Sequence, residues 1–442
     1  MTPWLPLALL ALLALPVGAE EARRLDLREL LAIASRSYPE VPAAEADVDA
    51  ARGTESLARA TRRTPRLTLT SAFGMVPAAR GTIFYSPDTG RDLNDYGPYY
   101  RVRLEFQQPL FTFGALREAE RAASAGVASR RERVRARRDA GLVLAAEAYF
   151  GWQLATRGLG VIAEVRGHLE KHLARLEAAE DTDPIDLFRA HNAEFVLDRG
   201  EADARRQLQA AEAGLEALIG GPAQPVTDDL VALQPDTTSV DEATVIAAGA
   251  NPELGEAQHA AAAGEHVAEA VRRERLPGLA IEGKFEYGHA SNRDKQDNPF
   301  VYDPFNTRSF SAAFGVRWDL SFKQNAAKVA RAQGEAQSLR ARRDAVATRL
   351  RLELGRLRAR LDEAWKVYET SRRELSTTAS WLRVADENNA LGTASTKDVI
   401  DSYTAFVQAR VAHYEAIREL DLALVAWRLA QGREALAEGE AP

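Results

Sequence analysis

The side chains of this sequence that are able to do chemistry form no recognised catalytic pattern. The chain contains no cysteine, which excludes thiolate catalysis, cysteine-ligated metals, disulfides and lipid attachment through an N-terminal cysteine. It also has no Walker phosphate loop, no G-x-S-x-G elbow and no H-E-x-x-H pair. We therefore predict that the protein is not an enzyme and that it carries no cofactor, no catalytic residue and no metal site.

Two further patterns have simpler explanations than a binding site. His168 and His172 are four residues apart on a predicted helix, a spacing that would suit a metal, but they match no hydrolase motif. A solvated helical face is the favoured interpretation. Arginines are concentrated in residues 130–138, and we interpret this run as a solvated or inter-helix salt-bridged surface rather than an anion site.

The overall charge argues against nucleic-acid partners. The 442 residues include 57 Lys and Arg against 64 Asp and Glu, a net charge of -7, whereas proteins held by phosphate contacts are basic. With 46% hydrophobic residues the chain is able to bury a sizeable core.

Residues 1–19 have the pattern of a secretory signal. An apolar run at residues 5–15 is too short to cross a bilayer, and Val17, Gly18 and Ala19 form a typical cleavage pattern. The segment before this run has no Lys or Arg, so an uncleaved anchor is the alternative. No later segment approaches the roughly 18 to 20 apolar residues of a membrane helix, so a membrane form of this protein would have to use strands.

The sequence is internally duplicated. One shift of 212 residues aligns residues of the same kind over long distances. The aligned pairs are Pro65 with Pro277, Phe106 with Trp318, Asp186 with Asp398 and Gly220 with Gly432. We predict a first structural repeat at residues 20–220, a Pro-containing linker at 221–240, a second repeat at 241–437 and a tail at 438–442.

Each repeat contains two segments in which apolar and polar residues alternate. These segments lie at residues 67–73, 100–106, 279–287 and 314–318. A period of two is typical of strands with one apolar face and one polar face. Long loops, residues 75–98 and 290–308, separate the two strands of each repeat and contain aromatic residues among Gly, Pro, Asn and Asp.

Two interpretations of these strand pairs remain open at this point. One is a soluble β-hairpin whose loop aromatics pack together. The other is a transmembrane β-barrel hairpin, with one row of side chains facing lipid and the other facing a water-filled lumen. The secretory signal and strands of about 10 residues favour the barrel. Four strands cannot close a membrane barrel, since about eight are needed and open edges are not tolerated in lipid. The chain would therefore have to oligomerise.

Each strand pair is followed by an exceptionally long helix and a returning helix. Residues 113–180 and 322–391 contain no proline, so at 1.5 Å per residue each helix would extend roughly 100 Å. Regular Leu, Val and Ala with Arg and Glu between them are typical of coiled-coil packing. The returning helices are predicted at residues 184–219 and 396–429. Pro184 and Ser395 are their start signals.

This arrangement resembles the TolC-type outer-membrane efflux proteins. The resemblance rests on the duplicated order of elements, on residues 108–111 (QPLF) that lead into a helix, and on residues 392–401 (GTASTKDVID). It implies a mixed fold class, a membrane β-barrel plus a long α-helical coiled-coil barrel, in which a homotrimer shares one barrel of twelve strands, four from each chain. It also implies a bacterial outer-membrane location, with the helices extending into the periplasm.

The resemblance further implies a function and partners. Such a protein is the passive exit duct of a tripartite efflux or type I secretion system, supplied by an inner-membrane pump and a periplasmic adaptor. The adaptor-docking turns correspond here to Asp183, Pro184, Asp186, Gly392, Thr393 and Ser395. Asp398 and Asp401 occupy the positions of the carboxylates that line the periplasmic entrance, or gate.

The two entrance carboxylates have a spacing with a physical consequence. An i, i+3 spacing puts Asp398 and Asp401 on one face of a helix, so three copies would crowd six carboxylates into one ring. Such a ring favours cations and is able to bind a blocking metal ion. The alternative is that Asp398 is a first-turn acid favoured by the helix dipole and that Asp401 is solvated. In family members, an Arg at the position of Ala394 can form a hydrogen-bonded lock that helps to hold the channel closed. This chain lacks that Arg, so we predict a leakier resting channel.

Two other classes of protein share some of these features. A periplasmic adaptor also has a long helical hairpin, but that class needs one hairpin that splits a lipoyl-like β-domain. A secreted coiled-coil scaffold would not need alternating strands or aromatic loops. We retain both classes as alternatives to the exit duct.

Overall fold

The computed structural model describes residues 23–79, 91–178, 184–227, 229–294, 303–391, 393 and 396–437. The helices in these ranges are α1 (Leu27–Ser37), α2 (Glu40–Arg63), α3 (Ala115–Ala178), α4 (Pro184–Ile219), α5 (Val240–Ala250), α6 (Pro252–Arg273), α7 (Phe322–Ala390) and α8 (Thr396–Ala430). The strands are β1 (Arg23–Leu25), β2 (Arg66–Ala79), β3 (Arg91–Phe111), β4 (Ala223–Pro225), β5 (Gly278–Ala290) and β6 (Arg308–Arg317). The predicted signal and the predicted tail lie outside the described residues.

The same order of elements occurs twice along the chain. Two helices, two strands, a very long helix and a returning helix follow one another as α1 to α4 and again as α5 to α8. The predicted strands and long helices are confirmed, but the first predicted loop is partly strand, since β2 continues to Ala79 and β3 begins at Arg91. Helix α3 begins two residues later than predicted, because Phe113 and Gly114 have φ angles of 50° and 85° and form a turn. Among the described residues, no helix is both long enough and apolar enough to span a bilayer.

The short helix that opens each repeat is bounded in the same way. Asp26 caps α1 by accepting a hydrogen bond from the Glu29 backbone N–H at 2.6 Å, and Ser239 caps α5 through the Glu242 N–H at 3.3 Å. Both helices end at a residue that precedes a proline, Tyr38 or Asn251. The residue before a proline is disfavoured in the α conformation, which stops each helix there.

The chain divides into two compact units. The sheet unit consists of residues 44–134 and 252–349, and the hairpin unit consists of residues 1–43, 135–251 and 350–442. Helices α3 and α7 contribute residues to both units.

The sheet unit contains a four-stranded antiparallel sheet with the order β2, β3, β5, β6. One cross-strand row pairs Leu69 with Leu104, Leu104 with Phe285 and Phe285 with Phe310. Because side chains alternate along each strand, this register puts the apolar residues of all four strands on one face.

Four helical segments of the sheet unit follow the same order as the strands. Their ion pairs join neighbours: Arg62 of α2 lies 2.8 Å from Glu120 of α3, and Arg133 of α3 lies 2.6 Å from Glu256 of α6. Arg340 of α7 then lies 2.5 Å from Glu265 of α6. The resulting row is α2, α3, α6, α7.

The hairpin unit has a second row of four helical segments, in the order α4, α3, α8, α7. Arg166 of α3 lies 3.0 Å from Asp198 of α4, and Gly158 of α3 meets Ala204 of α4, so small residues let these helices approach closely. Arg410 of α8 lies 2.8 Å from Glu164 of α3. The guanidinium of Arg360 on α7 donates to Glu419 of α8 at 2.9 Å.

The core of the hairpin unit is built from large side chains. Trp427, Tyr149 and Phe150 are almost fully buried, and the rings of Tyr149 and Phe150 pack edge to face with centroids 5.7 Å apart. Burial, together with the charge of Asp26, raises the pKa of the Tyr149 hydroxyl to about 12. Trp427 is therefore a packing residue of this core.

The linker between the repeats is held by buried polar side chains of the long helices. Gln153 donates to the carbonyls of Thr227 and Asp229 at 3.1 and 3.0 Å, and it is only 1% exposed. Asp421 accepts a hydrogen bond from the Leu233 N–H at 2.8 Å. Buried polar groups must be hydrogen-bonded, so these contacts fix the path of the linker on the hairpin unit.

Candidate functional site

One face of the four-stranded sheet carries large apolar side chains that are exposed in the single chain. Phe73 of β2 is 81% exposed, Phe310 is 70% exposed and Phe314 is 79% exposed. Soluble monomers rarely expose a continuous apolar surface of this kind. The face is therefore suited to a lipid or protein environment rather than to water.

The opposite face of the same strands is charged and internally paired. The Glu286 carboxylate lies 2.6 Å from Lys284, 3.2 Å from Arg103 and 3.9 Å from Arg101. Beside it, Gln107 donates to Glu282 at 2.7 Å. The two faces thus differ as a lipid-facing and a water-facing wall do in a membrane barrel.

A glycine on the apolar face is covered by an aromatic ring. A side chain at Gly283 would overlap the ring of Phe106, its cross-strand partner. At the position 212 residues earlier, Ser71 is exposed. The two repeats therefore share the strand pattern but not the packing at this row.

At one end of the sheet, the described part of the second long loop packs against β2 and β3. Tyr99 and Phe305 pack edge to face with ring centroids 5.2 Å apart, beside Val76. The guanidinium of Arg293 lies 4.9 Å from the centre of the Phe305 ring and 3.2 Å from the carboxylate of Asp303. Arg293 also donates to the Pro77 carbonyl of β2 at 2.8 Å, which ties the second loop to the sheet.

Two edges of the sheet are open. In the described ranges, β2 pairs only with β3, and β6 pairs only with β5. Unpaired backbone groups at such edges are ready to pair with another strand.

The predicted entrance carboxylates lie at the turn-proximal end of α8. Asp398 is in the first turn of α8, Asp401 is three residues further on, and both side chains are exposed. Their position on one helix is confirmed, as predicted from the spacing. Among the described residues no side chain donates a hydrogen bond to Asp401, so this carboxylate faces solvent within a single chain.

The predicted docking turns are only partly described. Pro184 is the first residue of α4, as predicted, and it is exposed. Thr393 closes the end of α7, because its backbone N–H and its hydroxyl both donate to the Asn388 carbonyl, at 2.9 and 3.0 Å. Asp183, Gly392, Ala394 and Ser395 lie outside the described residues, as does the side chain of Asp186.

Sequence reasoning missed a contact between the two hairpins near these carboxylates. The ring of His168 on α3 lies 5.6 Å from that of Tyr403 on α8, one turn from the ion pair of Glu164 with Arg410. Burial is the main reason that the pKa of the Tyr403 hydroxyl is raised. No local sequence pattern predicts this contact, because its partners are more than 200 residues apart.

The arginine run of α3 is confirmed as an inter-helix salt-bridged surface. Arg133 pairs with Glu256 at 2.6 Å, and Arg137 pairs with Glu40 at 2.8 Å. In the part of the chain that the structure describes, no three His, Asp or Glu side chains are grouped closely enough to hold a metal ion.

Comparisons with known proteins identify the fold. No protein-family model matches the chain, and no curated protein matches its sequence. Among solved structures it is similar to CusC, whose structures concern transmembrane channel formation, with a TM-score of 0.74 and 17% identity over 93% of this chain and 94% of that one.

Two other solved structures are similar over comparable lengths. A membrane protein from Pseudomonas aeruginosa has a TM-score of 0.74 and 20% identity over 92% of this chain and 93% of its own. The CmeC outer membrane channel of Campylobacter jejuni has a TM-score of 0.74 and 12% identity over 94% of this chain and 87% of its own. At such identities the similarity shows the fold, so the TolC-type channel fold predicted from the sequence is confirmed.

Proposed function

We propose that this chain, which has the fold of outer-membrane channels, is a passive exit duct in a bacterial outer membrane. The observation that carries the proposal is the two-faced sheet, with an exposed apolar surface on one side and a paired charged surface on the other. In a barrel the apolar side faces lipid and the charged side faces a watery lumen.

The open edges of the sheet support assembly from several copies. Four strands leave β2 and β6 unpaired, and lipid does not tolerate such edges. Pairing β6 of one copy with β2 of the next removes every edge once the ring closes. Three copies supply twelve strands, above the roughly eight that a membrane barrel needs, and the resemblance implies this number. The proposed state is a homotrimer.

The proposed partners are an inner-membrane pump and a periplasmic adaptor, in a tripartite efflux or type I secretion system. The sequence has no Walker loop, so the energy for transport has to come from another protein. The adaptor would dock at the helix turns, at Asp183, Pro184, Asp186, Gly392, Thr393 and Ser395. The alternating strands and the channel fold do not favour the adaptor or scaffold alternatives for this chain.

The proposed gate is a ring of carboxylates. In a homotrimer Asp398 and Asp401 from each chain supply six carboxylates, which attract cations and provide ligands for a blocking metal ion. We further propose that Ala394, in place of a lock-forming Arg, leaves the resting channel leakier. A resting conductance no higher than that of a relative with the Arg would count against this second point.

The proposal is tested by membrane fractionation followed by native mass measurement in mild detergent. The expected result is a complex of three chains from the outer-membrane fraction that conducts ions in planar bilayers. A water-soluble monomer would overturn the proposal, because four amphipathic strands alone cannot span lipid.

A matched pair of variants tests the assignment of the two faces. Phe314 lies on the apolar face, and its neighbour Ala313 lies on the charged face. Phe314→Lys is expected to make the free energy of membrane insertion less favourable by about 2–4 kcal/mol. Ala313→Lys is expected to be tolerated, because a lysine there would face a water-filled lumen. Equal recovery of both variants from the outer membrane would contradict the assignment.

A further inference from the structure

The charged face of the four-stranded sheet carries more cationic than anionic side chains. The regularly paired parts of the four strands are residues 66–72, 101–107, 280–288 and 309–317. On the charged face these parts carry the cations Arg66, Arg101, Arg103, Lys284 and Arg317 and the carboxylates Glu105, Glu282 and Glu286. Five cations against three carboxylates leave an excess of two positive charges in each chain.

The carboxylates of this face are engaged by some of these cations. Glu286 lies 2.6 Å from Lys284 and 3.2 Å from Arg103. Glu282 lies 3.2 Å from Arg317. The charges of these carboxylates are therefore offset by their nearest neighbours on the same face.

Two arginines of the charged face remain without a close carboxylate. Arg66 is exposed and forms no ion pair with any residue that the structure describes. Arg101 comes no closer than 3.9 Å to Glu286, which already has two nearer cations. The third carboxylate, Glu105, pairs with Arg103 at 3.9 Å. Arg66 and Arg101 thus account for the excess charge.

The two arginines lie at different levels of the sheet. Arg101 is opposite Ala72, which is six residues along β2 from Arg66. A strand rises about 3.4 Å per residue, so the two levels are roughly 20 Å apart. Charges in solution are screened over about 8 Å at physiological salt. Each arginine therefore sets the potential at its own level.

The proposed barrel multiplies this excess. In a homotrimer the charged face lines the lumen, and Arg66 and Arg101 each occur three times. Rings of Arg and Lys favour anions in a pore, as rings of Asp and Glu favour cations. The low-dielectric wall focuses the field, so an excess of one sign raises the local concentration of counter-ions.

We infer that the lumen of the barrel favours solutes with net negative charge, such as carboxylates and phosphates, and that Arg66 and Arg101 set this preference. The inference rests on the proposed function and adds a substrate class to it. The proposed gate has the opposite sign, because Asp398 and Asp401 of α8 attract cations. Substitutions in the strands therefore change the preference of the barrel and leave the gate carboxylates in place.

Planar-bilayer recordings of the membrane-extracted protein test the inference. The first variant is Arg66→Gln with Arg101→Gln, which removes the excess charge and leaves Glu286 its two nearer cations. The second variant is Ser311→Glu. Ser311 is exposed on the charged face opposite Lys284, so this change adds a carboxylate without removing any of these ion pairs.

Arg308→Gln is the matched control. Arg308 is exposed and stands two residues before Phe310, so it lies on the apolar face. Its cross-strand partner is Tyr287, which pairs with Val102, the residue after Arg101. The control therefore removes a positive charge at nearly the level of Arg101 but outside the proposed lumen.

Two measurements report the preference of the lumen. One is the reversal potential in a potassium chloride gradient, and the other is block of the current by ferrocyanide, a multivalent anion. Ferrocyanide is expected to block the unmodified channel, and the block is expected to weaken roughly tenfold in the double variant, because the local anion concentration falls. The reversal potentials of the double variant and of Ser311→Glu are expected to move toward cation preference. Arg308→Gln is expected to match the unmodified channel.

The possible outcomes separate this inference from the proposed function. If a channel of three chains forms but the double variant and Ser311→Glu match the unmodified channel in both measurements, the lumen preference is wrong and the exit duct stands. A shift in Arg308→Gln as large as that in the double variant would also overturn the inference, because charge outside the lumen would explain it. If the unmodified protein forms no channel of three chains, both the inference and the proposed function are wrong.

Discussion

The two helical hairpins share their order of elements but not their surfaces near the turns. Helix α4 begins with an exposed apolar face that includes Ile185 and Phe188. At the positions 212 residues later, α8 has Lys397 and a half-buried Ile400, and it exposes the carboxylate of Asp401. One hairpin thus presents an apolar surface at the end where the other presents charge.

The difference follows from the place of each helix in its row. Helix α8 is interior to the row, so its apolar residues are covered by α3 and α7, and its remaining exposed positions are free to carry carboxylates. Near its start α4 is at the edge of the row and leaves Phe188 and Phe195 exposed, whereas Leu215 nearer its end is buried.

The strongest test of this comparison removes two exposed aromatic side chains near the start of α4, Phe188 and Phe195. Phe188→Ala with Phe195→Ala is expected to weaken the three-chain complex, because buried aromatic anchors cost about 2 kcal/mol or more each when truncated. The measurement is the temperature at which the complex dissociates in detergent. Arg205→Ala, an exposed change further along the same helix, is the control. Equal dissociation temperatures for the double variant and the control would refute a role for these two rings in the assembly.

A second comparison between the repeats concerns one row of the sheet. Gly283→Ala forces the ring of Phe106 to move, and overpacking of this kind costs about 1–3 kcal/mol. The corresponding change in the first repeat, Ser71→Ala, replaces an exposed side chain by a slightly smaller one and is expected to be nearly neutral. Thermal unfolding of the membrane-extracted protein measures both effects. If Ser71→Ala is the more destabilising change, the packing difference between the repeats is not as described.

A third comparison separates the charged start of α8 from its counterpart in α4. Asp398→Asn with Asp401→Asn is expected to lower the cation preference of the channel and its block by multivalent cations, the latter roughly tenfold, because the ring concentrates counter-ions. Asp186→Asn is the matched change in the first repeat, where Arg189 stands in place of the second acid. It is expected to have little effect.

The reversal potential in a salt gradient measures this preference in planar bilayers. A change of equal size in the Asp186→Asn variant would show that the carboxylates of both hairpins contribute to the entrance. No change in either variant would remove Asp398 and Asp401 from the proposed gate.

Sequence reasoning was sufficient for elements whose pattern is long and regular. The alternation in residues 67–73 and 279–287 predicted strands, and the proline-free stretches predicted α3 and α7 almost to their ends. Pro184 marked the start of α4. In each case the signal is local, because periodicity and backbone restriction act within a few residues.

Contacts between distant segments could not be predicted in this way. Strands β1 and β4 pair in parallel over three residues each, which is too short for any periodic signal. The hydrogen bonds of Gln153 to the linker and the ring contact of His168 with Tyr403 depend on which helices become neighbours. The spacing of Asp398 and Asp401 placed them on one helical face, but their surroundings in the assembly depend on another copy of the chain.

The smallest expected effect concerns the carboxylates that pair with the arginines at the ends of α2 and α6. In the first repeat Arg62 of α2 pairs with Glu120 of α3 at 2.8 Å, which joins two helices. In the second repeat Glu269 pairs with Arg272 and Arg273 of its own helix, at 2.7 and 2.6 Å, while Arg273 also lies 3.4 Å from Glu118 of α3. Hydrogen bonds from Arg272 and then Arg273 lower the Glu269 pKa from 4.5 to about 2.

A lowered carboxylate pKa stabilises the fold above the unfolded pKa, and this contribution is lost as the pH falls from about 4.5 toward about 2. Because Glu269 is partly exposed, Glu269→Gln is expected to cost less than about 1 kcal/mol at pH 7 and nothing at the acid end of this window. Glu120→Gln removes a link between helices, so it is expected to cost more at pH 7. Thermal unfolding of both variants across this pH range measures the difference, and a pH-independent cost for Glu269→Gln would show that packing, rather than charge, explains it.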